Sequence, residues 1–441
     1  IARSPACDPS AGGEPMLYLN IGEPDFTAAP AVVRAAERCL DLKRTQYTPA
    51  TGLPALRERI AAWYGTRFGV AVDPGRIVVT AGASAALQLA CLALFERGDE
   101  VLMPDPSYPC NRHFVSAVGA TPRLLPTTAE SRYQLDAASV TAHWSAATRG
   151  VLLASPSNPT GTSIAPAEMA SIVQAVRARG GVTLVDEIYL GLSYDQAFGH
   201  SALALGDDVI SINSFSKYFG MTGWRLGWML LPLELVAPVE KLAQNLYICA
   251  SSVAQHAALA CFEPNSLAVY EQRRNEFKAR RDYFIPALNA LGLSVPVMPD
   301  GAFYAWADCS AACRKLKVNG SWDLAFELMQ RALPRHARIL LGTTAHGAAV
   351  VAPGYIKHAG RGQTVIGDPG SVVGPRWDLT PQFWVFKADT LNNLGGAQAL
   401  STLSAKDLGR EVNLTARYIS SAKLIYVFSA AYTIPGEALR D

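Results

Sequence analysis

One stretch of the sequence indicates the class of fold: Ser211-Ile-Asn-Ser-Phe-Ser-Lys-Tyr-Phe-Gly-Met-Thr-Gly-Trp-Arg225. Its single lysine, Lys217, follows an alternating apolar run over residues 209–212 that is typical of a β-strand. Open α/β sheets bind their ligands at the carboxyl ends of the strands, where this lysine is expected to lie. Serine hydroxyls precede the lysine and Arg225 follows it, and such groups suit a phosphate. The stretch therefore predicts a phosphate-bearing ligand held close to an amine.

Strand-like and helix-like segments alternate on both sides of this stretch. Short apolar runs typical of strands occupy residues 77–80, 100–104, 121–125, 150–154, 182–185, 209–212 and 225–231. Helical spacing of apolar residues between several of these runs predicts an α/β fold with a mainly parallel sheet and helices on both faces. A long helix is predicted over residues 266–291, with Asn265 as its N-cap and its basic residues on a solvated face.

Most of the unusual polar side chains fall directly after a predicted strand. These residues are Ser84, Tyr108, Asn158, Asp186, Tyr189, Ser214, Ser216 and Lys217. Because the carboxyl ends of parallel strands meet at one edge of a sheet, we expect these side chains to form a single site. The turn Gly82-Ala83-Ser84 also precedes a predicted helix, whose first N–H groups could hold a phosphate.

This set of side chains predicts a site for pyridoxal 5'-phosphate (PLP). Lys217 would hold the cofactor's aldehyde as a Schiff base, and Asp186 would keep the pyridine nitrogen protonated. Asn158 and Tyr189 would donate to the ring's phenolate oxygen, and Tyr108 would stack on the ring. The predicted phosphate-binding residues are Gly82, Ala83, Ser84, Ser214, Ser216 and Arg225. The predicted catalytic residues are Lys217, Asp186 and Tyr108.

Each of these residues also has a simpler structural explanation when it is taken alone. Asp186 could cap a helix, and Asn158 could form a turn before its proline. Tyr108 and Tyr189 could be half-buried packing residues, and Lys217 could be a solvated loop lysine. The hypothesis of a cofactor site depends on their joint occurrence at one edge of the sheet.

Composition and charge narrow the class of protein. Half of the 441 residues are hydrophobic and 17% are charged, as in a well-buried enzyme. With 39 basic and 37 acidic residues the formal net charge is +2, which argues against nucleic acid or a membrane surface as a partner. The 8 cysteines show no metal-ligand spacing and predict reduced thiols in a cytoplasmic protein without a metal site. The sequence contains no apolar run of about 18 residues, so no transmembrane helix is predicted. Residues 1–14 show no signal-peptide pattern.

Residues 17 to about 332 resemble the class I and II family of fold-type I PLP-dependent aminotransferases. The matching words are Asn20-Ile-Gly-Glu-Pro-Asp25, Tyr47-Thr-Pro-Ala-Thr-Gly52, Gly82-Ala-Ser84, Ser157-Asn-Pro-Thr-Gly161, Asp186-Glu-Ile-Tyr189, Ser214-Phe-Ser-Lys217, Gly223-Trp-Arg-Leu-Gly227 and Gly301-Ala-Phe-Tyr304. The resemblance implies a seven-stranded, mainly parallel sheet and a smaller α+β domain. It also implies transfer of an amino group between an amino acid and a 2-oxo acid, with Lys217 moving the proton.

The resemblance further implies a domain order and an oligomeric state. Residues 1–45 would join the small domain, residues 46–283 would form the large PLP-binding domain, and residues 284–441 would complete the small domain. The implied homodimer has composite sites, in which Tyr47 of one subunit reaches the phosphate in its partner. Gly22 lies in an extended piece, and a glycine there would let the backbone approach the substrate closely.

The sequence departs from the family pattern from about residue 333. Family members place an arginine that binds the substrate carboxylate soon after a Pro-Gly turn, for which Val351-Ala-Pro-Gly354 is a candidate. The next similar word, Ala416-Arg-Tyr-Ile-Ser-Ser-Ala422, comes about 60 residues later, and the segment between them predicts no regular element. Arg417 is the predicted carboxylate-binding residue, with Arg361 and Arg376 as alternatives. The predicted substrate-binding residues are Gly22, Asn158 and Arg417.

Two other functions stay open on the sequence alone. A lyase, a decarboxylase or a cyclopropane-forming synthase of the same fold would use the same residues, because geometry determines which bond PLP breaks. A PLP-binding regulator without turnover is the second alternative, since the carboxylate-binding arginine departs from the family pattern. The sequence shows no helix-turn-helix extension, which argues against a regulator of that kind.

Overall fold

The computed structural model describes residues 17–19, 22–332, 339–343, 348–351, 376–387, 407–421 and 424–435, and it describes side chains over residues 22–328. The chain divides into two units, residues 1–362 and residues 363–441. In the first unit the strands are β1 (Leu17–Leu19), β2 (Ile77–Thr80), β3 (Glu100–Asp105), β4 (Thr121–Pro126), β5 (Thr148–Ala154), β6 (Val182–Asp186), β7 (Ile210–Ser214), β8 (Gly227–Leu230), β9 (Ala305–Asp308), β10 (Ile339–Thr343) and β11 (Ala348–Val351).

The α-helices in the described part of the first unit lie between and after these strands. They are α1 (Pro30–Asp41), α2 (Pro54–Phe68), α3 (Ala83–Leu94), α4 (Pro109–Ala117), α5 (Ala137–His143), α6 (Pro166–Arg177), α7 (Leu233–Tyr247), α8 (Ser252–Ala258), α9 (Pro264–Ala290), α10 (Ser310–Leu316) and α11 (Ser321–Ala332). No helix in the described residues is both long enough and apolar enough to span a bilayer.

A seven-stranded sheet forms the centre of the first unit, with strand order β2-β8-β7-β6-β5-β3-β4. Strand β8 runs antiparallel to β2 and β7, and the other neighbouring pairs are parallel. The predicted α/β fold with a mainly parallel seven-stranded sheet is therefore confirmed.

The apolar strands form because helices cover both faces of this sheet. Every residue of β2 is buried, and so is every residue of β7. Side chains along a strand point alternately to opposite faces. Accordingly Ile77 and Val79 belong to one buried cluster, which includes α2 residues, while Val78 belongs to another, which includes α3 residues. The continuous apolar runs in the sequence reflect this burial on both faces.

Helix α9 corrects two details of the sequence prediction. It begins at Pro264 rather than Ser266, so the N-cap position falls on Glu263 and not on Asn265. Proline suits the first helical position, where its missing N–H has no helical partner to lose. The predicted solvated basic face is also incomplete, because Arg273 and Arg280 bind the chain near Asp25, as described below.

A second, four-stranded sheet brings together distant parts of the first unit. Its strand order is β9-β11-β10-β1. Strand β1 pairs in parallel with β10, with Leu17 opposite Ile339. The start and the end of the described part of this unit therefore meet in one sheet.

The second unit contains three long antiparallel strands, β12 (Arg376–Lys387), β13 (Asp407–Ser421) and β14 (Leu424–Pro435). Strand β12 lies in the segment for which the sequence predicted no regular element, so that prediction was wrong. Aromatic and β-branched residues fill this strand despite Pro381 and the glycines around it, and such residues favour extended backbone. The register places Asp378 opposite Arg417.

Candidate active site

Lys217 lies in the turn that follows β7, beyond the carboxyl end of the strand. Its Nζ donates a hydrogen bond of 2.6 Å to the carbonyl oxygen of Gly22. The same Nζ is 5.8 Å from the ring centre of Tyr189 and 5.6 Å from that of Phe303. The sequence elements around Gly22, Tyr189 and Lys217 thus meet around a single amine, and Phe303 joins them.

The surroundings of this amine weaken its hold on a proton. Burial lowers the pKa of Lys217 from 10.5 to about 8. Glu23 opposes this shift, the Arg225 cation adds to it, and Asp186 opposes it. An amine with such a pKa is partly neutral close to physiological pH, and a neutral amine is a nucleophile.

Asp186 ends strand β6 and is 5% exposed. Burial raises its pKa to about 6, while a hydrogen bond of 3.1 Å from the N–H of Ile188 and the nearby Lys217 act in the opposite direction. The carboxylate is therefore mostly ionised at pH 7 although it is buried. The simpler explanation, a helix cap, does not hold, because the next helical turn, Leu190–Leu192, has Tyr189 and not Asp186 at its N-cap position.

Two polar side chains contact the hydroxyl of Tyr304, a residue for which the sequence predicted no role. The hydroxyls of Tyr304 and Tyr189 are 2.6 Å apart, and Asn158 Nδ2 donates to the Tyr304 hydroxyl at 3.2 Å. A Cβ atom added to Gly22 would stand 2.0 Å from that hydroxyl, so Gly22 must be glycine here. Tyr304 therefore joins the predicted ring-oxygen donors to the backbone segment that contacts Lys217.

Tyr108 occupies the N-cap position of α4 and is partly buried. Its pKa is raised, first by burial, then by Cys110 and by the negative charge of Asp186. The electrostatic influence of Asp186 puts the two residues in one neighbourhood, as the hypothesis of ring stacking requires.

Two residues of the predicted phosphate cup, Gly82 and Arg225, come together at the start of α3. Gly82 precedes the helix with φ of +90°, and a Cβ there would lie 2.7 Å from Arg225 Nη2. The first N–H groups of a helix attract anions, and a guanidinium above them adds a full positive charge. Ser214 Oγ lies 2.9 Å from Ser216 Oγ and accepts the N–H of Ser216 at 3.0 Å. The hydroxyls therefore also stabilise the turn that carries the lysine.

Glu187 is a further buried carboxylate that the sequence analysis did not single out. It is 1% exposed and accepts hydrogen bonds from Ser211 Oγ at 2.6 Å, Ala202 N at 2.7 Å and Ser201 Oγ at 2.9 Å. Burial raises its pKa to about 7, against these hydrogen bonds. Glu187 ties the segment that contains Asp186 and Tyr189 to β7.

Residues 22–28, called the strap below, contact helix α9. Arg280 Nη1 pairs with the Asp25 carboxylate at 3.0 Å, and Arg273 Nη1 donates to the carbonyl of Thr27 at 2.5 Å. Both guanidinium groups lie over the Phe26 ring, at 5.1 and 5.2 Å from its centre. The arginines of α9 thereby position the strap, whose first residue accepts the hydrogen bond from Lys217.

The remaining predicted residues are not joined to this set by any described contact. Tyr47 is 78% exposed, and no described contact joins it to Lys217. Arg417 and Arg376 lie in strands of the second unit, and their side chains are outside the described residues. Arg361 lies outside the described residues altogether.

The donor set fits PLP chemically. An amine of lowered pKa, a buried carboxylate, hydroxyl and amide donors, and a cationic cup at a helix N-terminus are the groups that the cofactor's aldehyde, ring nitrogen, ring oxygen and phosphate need. No cluster of three or more metal-ligating side chains occurs within the described part of the chain.

The sheet, with Asp186 at the end of β6, Tyr189 in the turn that follows and Lys217 after β7, has the features of a fold-type I transferase. The family model for aminotransferase class I and II matches residues 14–348. The chain therefore belongs to the class I and II aminotransferase family, which confirms the resemblance and the predicted amino-group transfer.

Similar proteins of established name support this assignment. The valine–pyruvate aminotransferase of Mycobacterium tuberculosis is 38% identical over 309 residues, which cover 68% of this chain and 79% of that protein. The arginine–pyruvate transaminase of Pseudomonas aeruginosa is 33% identical over 348 residues, 78% of this chain and 85% of that protein. The crystal structure of an aminotransferase from M. tuberculosis has a TM-score of 0.70 at 34% identity and covers 77% of this chain and 87% of its own.

Aspartate aminotransferase from Thermus thermophilus with maleate shows the same fold. Its TM-score is 0.71 at 26% identity, over 78% of this chain and 88% of its own. The similar proteins named here all carry the name aminotransferase or transaminase.

Proposed function

We propose that this aminotransferase holds PLP on Lys217 and uses it to move an amino group between an amino acid and a 2-oxo acid. The observation that carries the proposal is the position of a lysine with a pKa of about 8 beside Asp186, Tyr189 and the carbonyl of Gly22. When bound, PLP supplies an electron-accepting ring that stabilises negative charge at the substrate Cα.

In this proposal Lys217 also moves the proton on and off the substrate Cα. A general base works best when its pKa is close to the working pH, and a pKa of about 8 satisfies this condition. Asp186 keeps its negative charge above about pH 6 and so holds a proton on the ring nitrogen. The Asp186 carboxylate would therefore act by electrostatics and not by accepting the substrate proton.

The neutral donors would orient the ring. We propose that Asn158 and Tyr189 donate to the ring oxygen and that Tyr108 covers the ring face. The phosphate group would lie against Gly82, Ala83 and Ser84, with Ser214, Ser216 and Arg225 around it. The contact between Gly82 and the Arg225 guanidinium supports this arrangement, because both would face the same phosphate.

Two spectroscopic and chemical experiments test the proposal. Borohydride reduction of the purified protein followed by peptide mapping should label Lys217, and Lys217→Ala should abolish the label. A label on another lysine would disprove the assignment. A panel of amino acids should then convert the bound cofactor to its amine form, whereas release of ammonia or CO2 would indicate a lyase or a decarboxylase. A cofactor that responds to none of them would favour a regulator.

We also propose pyruvate as the first amino acceptor to test. The relatives named valine–pyruvate and arginine–pyruvate aminotransferase share this acceptor and differ in the donor. Their names therefore support a 2-oxo acid acceptor and leave the donor to be measured with the amino-acid panel.

Arg417 is the proposed ligand of the substrate carboxylate. An arginine fork binds a carboxylate with two parallel hydrogen bonds, which lysine cannot reproduce. Arg417→Lys should therefore raise KM for the amino acid strongly and leave cofactor binding unchanged. If Arg376 or Arg361 binds the carboxylate instead, Arg376→Lys or Arg361→Lys should raise KM in the same way. If none of the three variants changes KM, none of these arginines binds the substrate carboxylate.

The proposed assembly is a homodimer in which Tyr47 completes the partner's site. The 78% exposure of Tyr47 supports the proposal, since a side chain that serves a partner is exposed in one subunit. Mixing Lys217→Ala with Tyr47→Phe subunits should restore one intact site per mixed dimer. Tyr283→Phe, at an 80% exposed tyrosine, is the matched control and should lose no activity on its own. A monomer in light scattering would refute the proposal.

Domain boundaries and location are also proposed. We propose that residues 1–45 and 284–441 form the small domain and residues 46–283 the large one, supported by the pairing of β1 with β10. A cytoplasmic location is supported by the seven cysteines of the described residues, which form no disulfide with one another. Limited proteolysis and cell fractionation test these two proposals.

A further inference from the structure

A cavity of about 380 Å³ opens between the end of α2, the first half of α9 and the loop of residues 190–200. Its wall includes two arginines, Arg67 and Arg274, together with Ser193, Gln196 and His200. None of its lining residues belongs to the set around Lys217. One lining residue, Leu190, nevertheless follows Tyr189 directly in the sequence.

The two arginines share one carboxylate and keep N–H groups for another partner. Arg67 Nη2 pairs with Glu271 Oε1 at 2.9 Å, and Arg274 Nε donates to Glu271 Oε2 at 2.9 Å. Arg274 Nη1 donates to the carbonyl of Ser193 at 3.1 Å. Within the described residues the hydrogen bonds and ion pairs of these guanidinium groups use no other N–H. Nε and Nη1 of Arg67 and Nη2 of Arg274 thus remain for a ligand.

The acidic groups near the cavity are already engaged. The pKa of Glu271 is lowered. Burial acts to raise this pKa, but the hydrogen bond from the Tyr218 hydroxyl and the charges of Arg67 and Arg274 outweigh burial, so the carboxylate stays ionised. Asp195, the acidic residue of the wall, accepts the N–H of Ala197 at 2.9 Å. The two guanidinium groups share the Glu271 carboxylate, and Asp195 contributes a second carboxylate to the wall.

A buried hydroxyl on the wall lacks a partner. Ser193 is 8% exposed, and its Oγ makes no hydrogen bond within the described part of the structure. A buried polar atom without a partner is uncommon in folded proteins and often marks a place that a water or a ligand fills. Ser193 belongs to the cavity lining, where its carbonyl oxygen accepts an N–H of Arg274, but its Oγ is enclosed by protein atoms and adds no donor to the cavity.

We propose that this cavity binds a small oxyanion, a phosphate or a carboxylate, between Arg67 and Arg274. The N–H groups that the two guanidinium groups leave unused, Nε and Nη1 of Arg67 and Nη2 of Arg274, can donate to the oxygens of such an anion. A volume of about 380 Å³ accommodates a small anion with its waters.

An anion in this cavity would change the surroundings of Tyr218, the residue that follows Lys217. The Tyr218 hydroxyl donates to Glu271 Oε1 at 2.7 Å, and the Arg67 guanidinium lies 5.5 Å from the Tyr218 ring centre. An anion that draws the arginines away from Glu271 changes the charge beside Tyr218. Binding should therefore change the ultraviolet absorption of this tyrosine.

Equilibrium dialysis with labelled inorganic phosphate and labelled acetate tests the proposal. The protein is first saturated with PLP, so that the cofactor's own phosphate excludes the anions from the Gly82–Arg225 cup. We expect one equivalent of at least one anion per chain at concentrations up to about 10 mM. Phosphate alone would indicate a phosphorylated ligand, and acetate alone a carboxylic acid.

Charge variants at the cavity separate this site from non-specific binding. Gln196→Glu adds a negative charge at an exposed wall position and should weaken binding about tenfold or more. Arg67→Gln should have a similar effect. Gln174→Glu adds the same charge on the exposed side of α6 and serves as the matched control. Tyr218→Phe should keep binding but lose the anion-induced tyrosine absorption change. Absence of binding by both anions, or binding that survives Gln196→Glu and Arg67→Gln, would overturn the proposal.

Discussion

The depressed pKa of Lys217 makes a quantitative prediction about stability that does not require turnover. The folded protein holds this lysine with a pKa of about 8, against 10.5 for the ordinary side chain. Between these two values the unfolded chain binds more protons than the folded chain, so raising the pH stabilises the fold. Replacing Lys217 by methionine removes this contribution while keeping a side chain of similar length.

The two pKa values fix the size of the effect. Between pH 7 and pH 10, the free energy of unfolding of the cofactor-free protein should rise relative to that of Lys217→Met by about 2.5 kcal/mol, since one pKa unit corresponds to about 1.4 kcal/mol. The loss of the hydrogen bond to Gly22 shifts the variant equally at both pH values. It therefore does not enter this difference.

Urea unfolding at pH 7, 8, 9 and 10 measures this difference. Lys241→Met, an exposed change on α7, corrects for general effects of alkaline pH. A difference between wild type and Lys217→Met that stays constant with pH would show that the lysine is not in the environment described. The reasoning about its catalytic pKa would then fail as well.

Three further variants probe the same site. Asp186→Asn should keep the cofactor but slow the half-reaction at least about a hundredfold, about 3 kcal/mol, and a near-normal rate would reduce Asp186 to a turn cap. Gly82→Val should weaken PLP binding in dialysis at least about tenfold, since its Cβ would meet Arg225 at 2.7 Å; unchanged binding would remove Gly82 from the cup. Tyr304→Phe should lower the free energy of unfolding by about 1 kcal/mol through the lost hydroxyl contacts, and no change in urea midpoint would contradict that network.

The sequence could predict the sheet and its edge because both depend on local patterns. Buried parallel strands are recognisable as short apolar runs. Neighbouring parallel strands bring their carboxyl ends together, so the positions of Asp186 and Lys217 follow from the local sequence alone. The turn at Gly82 was recognisable for the same reason. These features need no knowledge of which distant segments touch.

The contacts that the sequence could not predict are those between distant segments. Nothing near Tyr304 indicates that its hydroxyl lies against Gly22 and Tyr189. The arginines of α9 resemble an ordinary solvated face because local periodicity carries no information about Asp25, which lies 255 positions from Arg280. Strand β12 was missed because glycines and prolines around it outweighed its own aromatic residues.

The parallel pairing of β1 with β10 has a consequence for the order in which the protein is made. During synthesis the strands β2 to β8 leave the ribosome as a continuous block, and their sheet can form from that block alone. Strand β1 emerges before the other described strands, but it can pair with β10 only after Ile339 has been synthesised. Pairings between such distant segments form slowly, since a long loop must close before they give any stabilisation. The strap follows β1 directly, but its partners Arg273 and Arg280 are made before Ile339, so the strap can bind α9 while β1 still lacks its partner strand.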